Sequence, residues 1–389
     1  MLFSAEVLQL EWLHTSFLLL VWKIFPIFGI VKNLFAILLM FVVALVPLRF
    51  VTFAELCTEP VGVELPPKRA RLIVAGDLMQ HTPQLTAARQ ADGSYDYSES
   101  FRYVAQYFRD ADLAVVNLET TLSRGGEYTG YPAFSSPAEV ADAMVDMGVD
   151  VALLANNHSL DRGAVGVKRT ADILDSCAIE RMGVFRDSVD FQRNNIKYIE
   201  RGGVCFAMLN YTYGTNGIPT PKGVVVNRLD SANVVRDLKH IDRSKVDCVV
   251  AFVHWGNEYE RQPNRSQKAM AELMKSNGVD IIIGSHPHVV QPYEQDENGK
   301  LVVYSLGNFV SNQRKRFTDG GLIVVVDIEE DINGKLKYYI NSIPVWVKLP
   351  RYQILPPSVG DTLKMDALSR EAYKVFMDDT RKLLEKGVK

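Results

Sequence analysis

From residue 71 onward, short runs of β-branched and apolar residues alternate with stretches whose apolar positions recur every three to four residues. The runs at 71–75, 113–117, 149–154, 204–209, 247–253 and 280–283 predict strands. The stretches at 99–109, 137–147, 161–175, 232–240 and 264–276 predict helices between them, the second stopped by Gly148. After residue 283 the pattern changes: 301–305, 322–328 and 336–347 read as strands with no helix between them. Alternation followed by a meander predicts an α/β fold in which a mixed sheet, or two sheets packed face to face, carries helices outside. Pro350, Pro356 and Pro357 mark a linker, and the charged, mildly amphipathic stretch 364–384 predicts an outer helix, with partner binding as its alternative use.

The first sixty residues follow neither period. Residues 17–51 are almost wholly apolar, interrupted by Lys23, Lys32, Asn33 and Arg49, with an unbroken core at 34–46. That core has the length of a signal-peptide h-region, while 24–48 is long enough to cross a bilayer if Lys32 snorkels. Lys23 and Lys32 precede the core, so the positive-inside bias puts the downstream chain outside the cytoplasm. No Ala-x-Ala cleavage site follows, and Ala-Glu-Leu before Cys57 is a poor lipoprotein signal. The expectation is an exported chain at the cell membrane, anchored through this segment or secreted if it is cleaved; a buried hairpin is the alternative. The expected division is an anchor and linker at 1–65, a globular domain at 66–350, and a linker with a helix at 351–389.

Composition narrows the function classes. A chain of 389 residues with 47% hydrophobic content can bury a large core. Its net charge of -3 and the lack of a basic run predict no nucleic-acid partner. Cys57, Cys177, Cys205 and Cys248 form no Cys-x-x-Cys pair, so neither a zinc ribbon nor a disulfide framework is indicated. No Gly-x-Ser-x-Gly elbow occurs, which argues against a covalent serine nucleophile.

The informative residues sit where the predicted strands end. The first ends in Gly76-Asp77-Leu-Met79 with His81 just beyond, the second in Asn117-Leu-Glu119, and the third runs to Asn156-Asn157-His158. Two later strands end in His254-Trp-Gly-Asn-Glu258-Tyr259 and Gly284-Ser-His286-Pro-His288, the latter expected to hold its imidazoles on a stiff, extended backbone. Each has an ordinary alternative: Asp77 as a helix cap, Glu119 as a first-turn acid, Asn157 as a left-handed turn residue, His254 as a core histidine. Five strands in succession delivering carboxylate, amide or imidazole to the carboxyl edge, where open α/β sheets place their chemistry, favour a shared site. Carboxylate, amide and imidazole donors together suit one or two divalent transition ions, Mn, Fe or Zn, and metal-assisted hydrolysis.

The ordered set Gly76-Asp77-Leu-Met79, Asn117-Leu-Glu119, Asn156-Asn157-His158, His254-Trp-Gly-Asn-Glu258-Tyr259, Gly284-Ser-His286-Pro-His288 and Ser305-Leu-Gly-Asn308-Phe309 resembles that of the bacterial capsule synthesis protein CapA family, also called PgsA or PGA-cap. The resemblance covers about residues 71–326. It implies a β-sandwich flanked by helices, like that of calcineurin-like metallophosphoesterases, and a role in poly-γ-glutamate capsule assembly at the membrane. It further implies Asp77, Asn157, His254, His286 and His288 as metal ligands, Glu119 as a substitute bridging acid, and His158 as the histidine assisting the leaving group. Ala75 stands where an Asp-x-His pair would begin, so His81 or Glu119 would have to complete the upstream ligand set. Glu258 and Asn308 are assigned to the pocket, Asn308 with a supporting turn role as its alternative.

Two function classes follow. One is a hydrolase, a metal-dependent esterase acting outside the cytoplasm on a phosphate-containing or amide-linked cell-surface polymer. The other is a non-catalytic factor that binds such a polymer during assembly or export, alongside other capsule-assembly membrane proteins.

Overall fold

The first strand shows how the core is partitioned. Successive side chains of a strand point to opposite faces, and in β1 (Arg69–Leu78) both faces are buried. Leu72 and Val74 pack with Phe206, Val250 and Ile281. Ile73 and Ala75 face the other way, among Phe101, Phe108, Met144 and Leu174. The strand therefore lies in a sheet covered by a second sheet on one side and by helices on the other.

The computed structural model describes residues 66–387. In chain order β1 is followed by β2 (Leu113–Leu118), β3 (Val151–Leu153), β4 (Glu180–Met182), β5 (Lys197–Arg201), β6 (Val204–Thr212) and β7 (Cys248–His254). Then come β8 (Ile281–Ser285), β9 (Tyr293–Gln295), β10 (Leu301–Val303), β11 (Asn308–Val310), β12 (Gly320–Glu330), β13 (Leu336–Lys348) and β14 (Gln353–Leu355). One sheet has the order β14-β13-β12-β1-β2-β3-β4, with β11 also pairing β1. The other has the order β9-β10-β8-β7-β6-β5. Strands β1 to β4 run parallel, as do β6, β7, β8 and β10, while β12 to β14, β5 and β9 pair antiparallel. This is an α/β architecture of two sheets packed face to face with helices outside.

The helices Glu139–Met147 and Gly163–Ser176 cover the first sheet through Met144 and Leu174. Ser231–Lys239 and Arg265–Ser276 cover the second, placing Val234, Leu238, Ala271 and Met274 against Leu209, Val249 and Val253. Gly148 closes its helix in the left-handed conformation at φ 96°, as the sequence predicts. The stretch 99–109 is not one helix: it breaks into Ser98–Phe101 and Ala105–Arg109. The break brings Phe101 and Phe108 both against Phe309, with ring centroids 6.0 and 5.6 Å away. β5 and the helix Ser188–Asn194 escape the apolar pattern because β5 is a charged edge strand and the helix buries no residue.

The C-terminal helix Ala367–Gly387 lays Tyr373, Phe376 and Met377 on Trp346 of β13 and Leu355 of β14. Among the described residues no helix is long and apolar enough to cross a membrane. The predicted span at 24–48 and the anchor region 1–65 lie outside the described residues.

Candidate metal centre

The carboxyl ends of the parallel strands meet at one edge, and two glycines allow the approach. A Cβ on Gly76 would stand 2.1 Å from the carbonyl oxygen of Gly307. With Gly there, β1 passes its irregularity at Asp77, which comes to lie opposite Asn117 on β2 and Asn308 on β11. A Cβ on Gly284 would stand 2.0 Å from Tyr304 O. The segment beyond it is not extended as the sequence suggested: His286 has φ 100° and His288 φ 57°. Non-glycine residues held there cost roughly 1–3 kcal/mol each, and such strain concentrates at functional sites. A bond from Tyr259 N to Pro287 O, 2.8 Å, ties the loop to the one leaving β7.

The side chains converge on Glu119, which is completely buried. Its Oε1 lies 3.7 Å from His254 Nε2 and 4.0 Å from His288 Nε2 and has no hydrogen-bond partner. His254 Nε2 lies 2.7 Å from Asn157 Oδ1, and Asn157 is steadied by donating from Nδ2 to Asn216 Oδ1 at 3.1 Å. His288 Nδ1 faces two acceptors, Asp77 Oδ2 at 2.9 Å and Asn308 Oδ1 at 3.1 Å. Nδ1 therefore carries the proton, and Nε2 offers its lone pair toward Glu119. The other Asp77 oxygen accepts from Asn117 Nδ2 at 2.8 Å. Donor atoms of Asp77, Glu119 and His254 lie within 4.8 Å of one another, as do those of Glu258, His286 and His288.

Burial sets the electrostatics. It holds the Glu119 carboxyl well above the usual carboxylate range, reinforced by the Asp77 charge. It holds the His254 imidazolium well below its ordinary value, with His286 and His288 adding to the effect. His286 is pushed down to about 3, chiefly by burial and then by His288. His286 Nδ1, like Glu119 Oε1, is buried without a hydrogen bond. An orphaned buried polar group costs about 1–3 kcal/mol, and a cation is the partner that would satisfy a carboxylate oxygen and imidazole lone pairs together. The residues present fit a divalent transition ion.

Not every expected residue joins this cluster. His81 sits at the start of the helix Thr82–Ala88, its Nδ1 near Gln84 Oε1 at 3.2 Å and accepting from Asn312 N at 3.3 Å. It belongs to neither donor group, because Pro83 and Gln84 turn the chain into a helix there. Asn308 is fully buried behind His288, with Nδ2 donating to Thr318 O at 2.8 Å, so it orients that imidazole from behind. Glu258 is exposed at the mouth. His158 stands beside the cluster, packed edge-on against Phe134 at 4.6 Å, its Nδ1 donating to Asp161 Oδ2 at 2.8 Å. Asp77 caps no helix, and Glu119 follows β2 without starting one.

Sequence reasoning passed over Asn117, Asp161, Tyr213 and Asn216 as individual site residues. Asn117 stood in a quoted motif and donates to Asp77, and Asp161 lies at helical spacing from His158, a signal that was available. Tyr213 and Asn216 come from the loop after β6, whose bearing on the site depends on the second sheet.

Comparison with known proteins gives relatives in capsule synthesis. The chain is 28% identical over 305 residues to the PGA biosynthesis protein CapA of Bacillus subtilis (strain 168), covering 77% of this chain and 76% of that one. It is 30% identical over 258 residues to the capsule biosynthesis protein CapA of Bacillus anthracis, covering 63% of this chain and 61% of that one. Among solved structures, the Haemophilus influenzae NAD nucleotidase (NadN) is similar with a TM-score of 0.47 at 12% identity, covering 83% of this chain and 64% of that chain. The bacterial capsule synthesis protein PGA_cap family matches residues 71–313, the stretch that carries every donor described above, and the chain belongs to that family.

Proposed function

We propose that this protein is a metal-dependent hydrolase of the phosphoester type that works in the synthesis of a capsule or other cell-surface polymer. The single observation that carries the reading is Glu119 Oε1, buried and unpartnered between the Nε2 atoms of His254 and His288. The family is similar in architecture to the calcineurin-like metallophosphoesterases, which supports the reaction type although Ala75 stands in place of an Asp-x-His pair. The names of the two CapA relatives give the polymer context, poly-γ-glutamate or another anionic chain.

Asp77, Glu119, Asn157, His254, His286 and His288 would hold the ion, one or two of Mn, Fe or Zn. A bound ion of this kind supplies Lewis-acid polarisation of a phosphoryl oxygen and a water of lowered pKa. Asn308 and Asp77 fix the tautomer of His288, and Asp161 fixes that of His158. With Nδ1–H directed at Asp161, His158 Nε2 is the atom left to take up a proton, and only the doubly protonated ring, held by Asp161, could pass that proton on to a leaving oxygen. The apolar segment at 24–48 supports an exported chain held at the cell membrane with the described domain outside the cytoplasm.

The alternative is a polymer-binding assembly factor without turnover. It is favoured by Ala75 in place of an Asp-x-His pair and by the engagement of both Asp77 oxygens with Asn117 and His288. Metal analysis of the purified chain, with turnover of a generic phosphodiester and of γ-glutamyl oligomers, separates the two. The hydrolase reading expects near-stoichiometric Mn, Fe or Zn and loss of activity in His286→Ala and Asp77→Ala. A folded, metal-loaded protein that bound γ-glutamyl oligomer but turned over neither substrate would sink it. Protease added outside intact cells is expected to cut the described domain, and complete protection would count against export.

A further inference from the structure

The reading above leaves one part of the same edge without a role. The loop leaving β6, residues 213–220, passes directly over the donor cluster. The Tyr213 ring lies 4.5 Å from that of His286, and 6.4 Å from that of His254 with the planes only 13° from parallel. Tyr213 nevertheless remains 44% exposed, so part of the ring is open to solvent at the mouth of the site. Asn216, three residues on, holds Asn157 and fixes the loop to the cluster.

Beside Tyr213 the loop and the exposed Arg228 line a shallow groove that is open to solvent. The Arg228 guanidinium is set in place by two neutral acceptors, Thr215 Oγ1 at 3.0 Å and Tyr213 O at 3.2 Å, and forms no ion pair among the described residues. An exposed aromatic face next to the donors and an uncompensated cation a few ångströms along ask for two things in one ligand. The face suits a ring laid flat on it, which for a saturated sugar means its apolar C–H face against the aromatic surface. The guanidinium asks for a carboxylate or phosphate.

The geometry points to an acidic glycosyl unit as the occupant of this groove: a pyranose ring laid on Tyr213 with its acid on Arg228, adjoining the bond presented to the cluster. This assignment rests on the hydrolase reading for where the cleaved bond lies. An acyclic polyanion would engage Arg228 and leave the Tyr213 face unused, so the two residues together discriminate an acidic glycan from a polypeptide of equal charge.

The test is binding by the full 389-residue chain to an oligouronate and to a γ-glutamyl oligomer of matched charge, by equilibrium dialysis in the metal-free state. The wild type is expected to prefer the oligouronate. Tyr213→Ala is expected to cut that preference about tenfold, at the low end of what stacking one ring contributes, while Tyr213→Phe keeps it. Arg228→Gln is expected to weaken both probes together. Equal affinity of the wild type for the two probes, or an undiminished preference in Tyr213→Ala, overturns the assignment. The readout needs no turnover. Tyr213-dependent preference with no hydrolysis of any phosphoester would remove the hydrolase reading and keep the groove's specificity, and hydrolysis without the preference would do the reverse.

Discussion

Glu119 concentrates the chemistry of this protein in one atom. A carboxyl held at zero exposure, with one oxygen unpaired, is a liability in the metal-free chain and on the proposed function would be a ligand in the loaded one. Glu119→Gln is therefore expected to lower metal stoichiometry while leaving the melting temperature of the chelator-treated protein unchanged or raised, since a neutral amide is cheaper to bury. Undiminished metal content in the variant would remove Glu119 from the ligand set. The histidines make a pH prediction for the metal-free protein. His254 and His286 titrate below their unfolded value of about 6.5, His286 at about 3. Between those values the unfolded chain binds more protons than the native one, so stability falls as pH drops from about 6.5 toward 3. Glu119 opposes this with the other sign, its raised pKa giving stability at low pH that is lost as pH rises through it. Melting temperatures between pH 7 and 4 should fall less steeply in His286→Gln than in wild type, and identical slopes would contradict the assignment.

At the level of elements, the site depends on how closely strand ends can approach. β8 reaches its loop beneath Tyr304 only because residue 284 has no side chain. Gly284→Ala would force carbonyl and strand apart, an overpacking cost of about 1–3 kcal/mol or more. It should also loosen metal binding, because His286 and His288 follow directly at positive φ. Chemical denaturation and metal titration of the same sample check both halves, and a variant of unchanged stability would mean the strand end is free to shift. The helices were legible where a heptad-like stripe met a stop signal, as at Glu139–Met147 with Gly148. The break between Phe101 and Ala105 was not, because the apolar spacing of 101, 104, 105 and 108 suits one helix or two. In the fold both Phe101 and Phe108 pack on Phe309, two hundred residues later.

For the molecule as a whole, ligand binding to the native state alone adds stability by mass action, about 2.7 kcal/mol when free ligand is a hundred times its Kd. Addition of Mn or Zn to chelator-treated protein should raise the melting temperature, and the rise should vanish in Glu119→Gln and shrink in His286→Ala. An equal rise in both variants would place the ion elsewhere. The site draws donors from both sheets, Asp77, Glu119 and Asn157 from one and His254, His286 and His288 from the other, so a bound ion would join the two halves of the sandwich.

The order of motifs, the α/β alternation and the donor types were all readable from the sequence, because strand ends are marked by local hydrophobic runs that stop at a polar residue. Local pattern also singled out His286 and His288 as a pair. It could not decide that their backbone is folded at positive φ, that His81 is spent on a helix start, or that Asn308 supports His288 from behind. Asp77 meets His288 across 211 positions and Asn312 meets His81 across 231, while Asn308 reaches His288 from only 20 positions away but around a strand end that the tertiary fold turns back. A sequence fixes which groups are available at each strand end, whereas the packing of one sheet on the other decides which of them face the same few cubic ångströms.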